Sequence, residues 1–270
     1  MTAHPAGPPP VPRGRRWLAA AGAALVVASV APGVATLAHR YVVAESAQFL
    51  VFAMVAPALI VLGAPWRLLR LSRPAGGPAS DPGTGPADRL AAGRRRRTSF
   101  PRAAAFLLVF IGTSIAWRLP PVVDALARHP ALVAPELVTL LAAGTGLWLE
   151  LVSSPPLAPR LPRPHRAAVA ALAMWSAWVA AYALGLANHA VFQGYDMAGG
   201  GLSPVADQEI TVGLVWAVSA MCFVPVVFVT MLGWLKEGDN PDEELQRLAR
   251  DDQARPVVRG WGRPARGRNP

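Results

Sequence analysis

Long uncharged stretches, separated by short arginine-rich segments, dominate the chain. The clearest runs from Ala47 to Pro65 without a charge, long enough as a helix to cross the roughly 30 Å hydrocarbon core of a bilayer. The same pattern recurs, and it predicts spans over about residues 17–38, 47–65, 103–118, 131–149, 167–187 and 210–235. The expected fold is therefore all-α: a polytopic membrane helix bundle with six transmembrane helices. Pro57 falls mid-way along the second span. In water it would break the helix, but in a bundle neighbouring helices satisfy the freed carbonyl, so a kinked span is expected. Alanine and glycine fill the first span (Ala19-Ala20-Ala21-Gly22), which suits close helix–helix approach. The uncharged part of the third span rises only about 22 Å, which predicts that Arg118 lies within the membrane boundary and snorkels outward. Leu119-Pro120-Pro121 ends that helix, and a short surface helix is expected over Val122–Ala127.

The polar segments set the orientation. Residues 1–16 read as a disordered basic lead, residues 73–101 as a disordered cytoplasmic loop rich in Pro, Gly and Arg, and residues 236–270 as a cytoplasmic tail. Only Arg40, Arg118 and Arg128 of the 26 Lys and Arg residues fall on the outer side if the N-terminus is inside. The positive-inside rule then predicts both termini in the cytoplasm. The formal charge of +10 sits in these loops, so no nucleic-acid partner is expected. The lipid bilayer is the expected partner, and Arg94–Arg97 read as holding their loop inside rather than as a site for anionic lipid headgroups. Cys222 is the only cysteine, which excludes a disulfide framework and a thiolate metal cluster. The apolar run Trp17–Ala38 is longer than the core of a cleavable signal and reads as a retained span.

Candidate chemistry is sparse. Glu136 stands inside the fourth span, where a carboxylate is costly and usually faces the bundle interior. Arg118, across a short connection, is its expected partner. The pair reads equally as a ligand or proton site and as a structural ion pair. Glu45, at the outer end of span two, joins this polar set. Asp207 and Gln208 precede span six and belong to the same set, or cap that helix. His39, His129 and His189 all fall on the outer side. With the nearby carboxylates they are candidates to bind copper or another transition metal, against the plainer reading of three interfacial histidines in separate loops. No nucleotide-binding loop, CxxC or HExxH occurs, so no enzymatic activity is expected. A small transporter or permease using Glu136 and Arg118 in a polar pathway is an alternative of another class. The absence of an internal repeat argues against it.

Four groups of residues, taken in order, resemble one family. They are Gln48 with Ala56-Pro57 and Leu62-Gly63-Ala64-Pro65; Trp117-Arg118-Leu119-Pro120 with Asp124-Ala125-Leu126; Pro135-Glu136 with Gly146-Leu147-Trp148; and Gly201-Leu202-Ser203-Pro204 with Asp207-Gln208 and Trp216. Together they resemble the polytopic bacterial cytochrome c oxidase assembly factors of the CtaG type, over about residues 17–236. The resemblance implies a multi-pass protein of the bacterial plasma membrane that helps mature a respiratory oxidase, through contact with oxidase subunits or copper insertion. It also implies histidines at positions that here hold Glu45, Phe49, Arg118, Val133 and Leu137. Glu136, Asp207, Gln208 and the Trp/Pro framework are kept, so the metal chemistry of the family is not expected to transfer intact.

Overall fold

The computed structural model describes residues 13–66, 99–155, 157–187, 189–195 and 201–238. Two compact units are distinguished, residues 1–231 and 232–270. Of the second, residues 232–238 are described, and they are helical. The first is an all-α bundle. Among the described residues there is no strand, only an isolated bridge between Ser154 and Leu157. Five helices among these residues are long and apolar enough to cross a membrane, and a bent helix pair makes a sixth. The expected all-helical membrane bundle is thus the observed fold. The N-terminal lead up to residue 12, most of the 73–101 loop with Arg94–Arg97, and the tail from residue 239 lie outside the described residues.

The first span is broken rather than continuous. Helix α1 (Arg13–Ser29) and helix α2 (Pro32–Ala38) meet at 63°. Pro32, at the start of α2, has no N–H to extend the α1 ladder, so the helix stops before it. The C-terminal carbonyl left over is caught from another helix: Gln48 Nε2 donates to the Ser29 carbonyl at 2.8 Å. A single helix over residues 17–38 is therefore not what forms, and the cause is this proline.

The second span carries the kink that Pro57 predicts, in a specific form. Helix α3 (Val42–Leu50) passes through a π-helical turn at Val51–Val55 into helix α4 (Ala56–Gly63). Proline cannot donate to the carbonyl four residues back, that of Ala53, and its ring crowds that turn. The wider π turn makes room for it. Helix α4 ends at Ala64, whose backbone is left-handed with φ 49°.

Helix α5 (Ser99–Arg118) is followed by the short helix α6 (Pro120–Arg128), a 3-10 turn at Pro130–Leu132, and helix α7 (Val133–Leu151). Helices α8 (Arg163–Gly185) and α9 (Pro204–Gly238) complete the bundle. Helix α7 lies against the π turn because residue 144 is glycine. A Cβ there would sit 2.8 Å from Pro57 Cγ and closer still to the Ala53 carbonyl oxygen. The core is built from Leu50, Met54, Phe110, Leu140 and Trp148, all almost fully buried. The last span enters it through Phe223, which stacks on Trp148 at 5.4 Å and meets Phe110 edge-on at 6.2 Å.

Candidate functional site

Several polar residues gather where α3, α5 and α7 meet. Arg118, the last residue of α5, turns inward rather than snorkelling out. Its Nη1 lies 2.7 Å from Glu45 Oε2 and 3.0 Å from Ser46 Oγ, and its guanidinium carbon sits 4.1 Å over the Phe49 ring. The expected partner of Arg118 was Glu136, but the ion pair goes to Glu45. Adjacent helices need not turn charged positions toward each other, and Glu45, in the first turn of α3, faces the end of α5. The cation–π contact with Phe49, four residues on, adds to the same face.

Glu136 is part of this site nonetheless. It is buried, and with Glu45, Gln48, His39 and Tyr195 it lines a small cavity of about 30 Å³, a volume sufficient for one or two waters. Glu45 Oε1 and Glu136 Oε1 are both buried without a hydrogen-bond partner among the described residues. Val133 lines the same cavity. Of the positions that the resemblance singles out, 45 and 133 thus line the cavity with Glu136, and 118 and 49 join them through the Arg118 contacts with Glu45 and Phe49. What they hold is an ion pair, an aromatic ring and an aliphatic side chain.

Tyr195 reaches the cavity from the stretch 189–195, between α8 and α9, which forms a roof at this point. Asp124 Oδ1 on α6 accepts from the Gln193 and Gly194 amides at 2.9 and 2.8 Å. Gly194 permits this approach, since a Cβ would lie 2.9 Å from the Asp124 Cα. Phe192 and Tyr195 then bury against Val42 and Val123. Burial first, and the negative charge of Glu45 second, push the Tyr195 phenol well above its ordinary range. It stays a neutral hydrogen-bond donor and acceptor across physiological pH.

Asp207 and Gln208 act on the framework around the cavity. Asp207 accepts from the Val42 and Val43 amides at 2.7 and 2.9 Å. It thereby caps α3, a span far away in sequence, rather than its own helix. A carboxylate at a helix N-terminus satisfies orphan amides and complements the helix dipole. Gln208 accepts from the Val191 amide at 2.9 Å and donates to the Leu184 and His189 carbonyls, tying the roof to α8 and α9.

The three histidines do not assemble. His39 lines the small cavity, His129 is exposed beyond the end of α6, and His189 is exposed, contributing its main-chain carbonyl to Gln208. Among the described residues, no group of three or more His, Cys, Asp or Glu side chains is placed to hold a metal ion. The side chains around Glu136 do not suit copper either. Phe49, Val133 and Leu137 offer no lone pair, and the Arg118 guanidinium inside the donor set repels a cation.

Sequence reading missed a second ion pair. Arg102 grips Glu150 with two bonds of 2.9 Å from Nε and Nη2, and the Glu150 side chain is wholly buried. It fastens the opposite ends of α5 and α7 from the Arg118 site. The signal was present: an arginine opening one span and a glutamate closing the next fall on the same side of a helical hairpin.

No curated protein and no solved structure matches this chain. The family model described as cytochrome c oxidase caa3 assembly factor matches residues 1–237, and the chain, a bundle of membrane-spanning helices, belongs to this family.

Proposed function

We propose that this member supports oxidase assembly by contact with oxidase subunits, without catalysing a reaction and without carrying copper itself. The observation behind this is the Arg118–Glu45 pair beside the cavity that positions 45 and 133 line with Glu136. A fixed guanidinium supplies the positive charge that two neighbouring carboxylates would otherwise draw from solution. The site is thus a rigid strut between α3, α5 and α7, and Glu136, Asp207 and Gln208 are its supports. The distribution of arginines supports an orientation with both termini in the cytoplasm of a bacterial cell and the roof on the outer side. In the bilayer the exposed faces of the spans are the surfaces available to other membrane subunits. Nothing supports the transporter reading: Arg118 is bound to Glu45 rather than to Glu136, and Glu136 is buried.

Metal analysis by mass spectrometry tests this. Protein purified in detergent from copper-supplemented cells is expected to hold far less than one copper per chain, and deletion of the gene to lower assembled oxidase. Stoichiometric copper, lost when His39, His129 and His189 are replaced together, would overturn the reading.

A further inference from the structure

A second, larger cavity lies beside the polar site. Its volume is about 300 Å³, and its lining runs from Arg118 down to Phe110 and Met54. Phe110 is about 12 Å of helix below Arg118, so the cavity is an elongated apolar slot. Ile115, Leu119, Ala180 and Ala183 line it and are also exposed on the bundle surface. All four are apolar, so this opening suits hydrocarbon rather than water.

The buried lining is not wholly apolar. Arg118 Nε and Nη2, Ser114 Oγ and Thr211 Oγ1 belong to residues of the wall, and each is buried without a hydrogen-bond partner among the described residues. Such donors are costly to leave unmet in a membrane interior. The charge of Arg118 is already matched by Glu45 at 2.7 Å. What remains unmet is hydrogen bonding, not charge, and a second anion beside Glu45 and Glu136 would be repelled. The complement is a neutral acceptor on an apolar stem. Arg118 also ends its span, at the depth where the ester carbonyls of a glycerolipid meet the hydrocarbon.

We infer that this slot binds one acyl chain of a membrane glycerolipid, with its ester carbonyl accepting from Arg118 Nε and Nη2. The chain enters between α5 and α8 and lies along Phe110 toward Met54. The lipid completes the hydrogen bonding of the guanidinium and wedges the spans at the outer side.

Native mass spectrometry of delipidated protein tests this, titrated with a diacyl phosphatidylglycerol and with its dialkyl ether analogue of equal chain length. The ester lipid is expected to bind about tenfold more tightly, the worth of one hydrogen bond to a charged group. Arg118→Lys keeps the charge opposite Glu45 but lacks Nε and Nη2, and is expected to abolish the ester preference. Ala177→Phe, which fills the slot, is expected to weaken both lipids. Equal affinity of the unaltered protein for ester and ether lipids would overturn the inference, and needs no variant to fold. So would an ester preference that survives Arg118→Lys, or an isoprenoid quinone as the molecule retained on purification.

Discussion

Arg118 decides the character of the site, and its energetics are those of a largely buried ion pair. Removing one partner leaves the other charge inside the bundle without compensation. Arg118→Met or Glu45→Gln alone should destabilise the protein by about 3–5 kcal/mol, whereas Arg118→Met with Glu45→Leu should recover much of that loss. Thermal unfolding in detergent, followed by circular dichroism, checks both the single effects and their non-additivity. A loss in the double variant equal to the sum of the losses in its two singles would mean that the pair contributes nothing as a pair. The residues of this site were legible one at a time. Glu136 announced itself as a carboxylate in an apolar run, and Arg118 as a charge at a short span's end. The pairing of Arg118 with Glu45 was not legible, because it depends on the rotation of α3 and α5 about their axes. Tyr195 gave no signal at all, since it reaches the cavity only through the fold of the roof segment.

Proline is the main organiser at the scale of the helix, and each break is repaired by a different helix. The broken end of α1 is met by Gln48, and the widened turn before Pro57 is met by Gly144. That glycine lets α7 approach closely enough for its Cα–H to face the Ala53 carbonyl, a weak but useful contact in an apolar medium. Gly144→Ala should therefore cost about 1–3 kcal/mol, as an overpacked contact does. Pro57→Ala in the same chain should return part of it, because restoring the N–H at position 57 lets the turn tighten and draw away. A thermal melt of the two single variants and the double variant measures this, and additive losses would sink the coupling. The kink was readable from Pro57 alone. Its π form and its dependence on Gly144 were not, since nothing local to either segment names the other. The break at Pro32 was overlooked for the opposite reason: a run of apolar residues from 17 to 38 looks continuous to any measure of hydrophobicity.

Across the whole bundle, two buried ion pairs hold the hairpin of α5 and α7 at its two ends. Arg102–Glu150 fastens one end, and Arg118–Glu45 ties the other to α3. The pairs share no residue and sit at opposite ends of a helix about 30 Å long. Their effects should be independent, so Glu150→Gln and Glu45→Gln combined should lower stability by the sum of the singles within about 0.5 kcal/mol. Chemical denaturation in mixed micelles would show it, and a marked departure from the sum would mean that α5 transmits strain along its length. At this scale the sequence was most informative. The number of spans and the helical class follow from hydrophobic length, which is a property of composition and survives errors in every contact.

The cap that Asp207 places on α3 joins residues 165 positions apart, and this has a consequence for how the chain is made. While the ribosome is still producing the middle of the protein, the second span already sits in the bilayer with its leading amides unanswered. They are answered only when the last span arrives. A chain that stops before residue 207 therefore lacks not just a helix but the closure of an earlier one. The finished molecule is distinguished from any shorter one by a bond between its first third and its last.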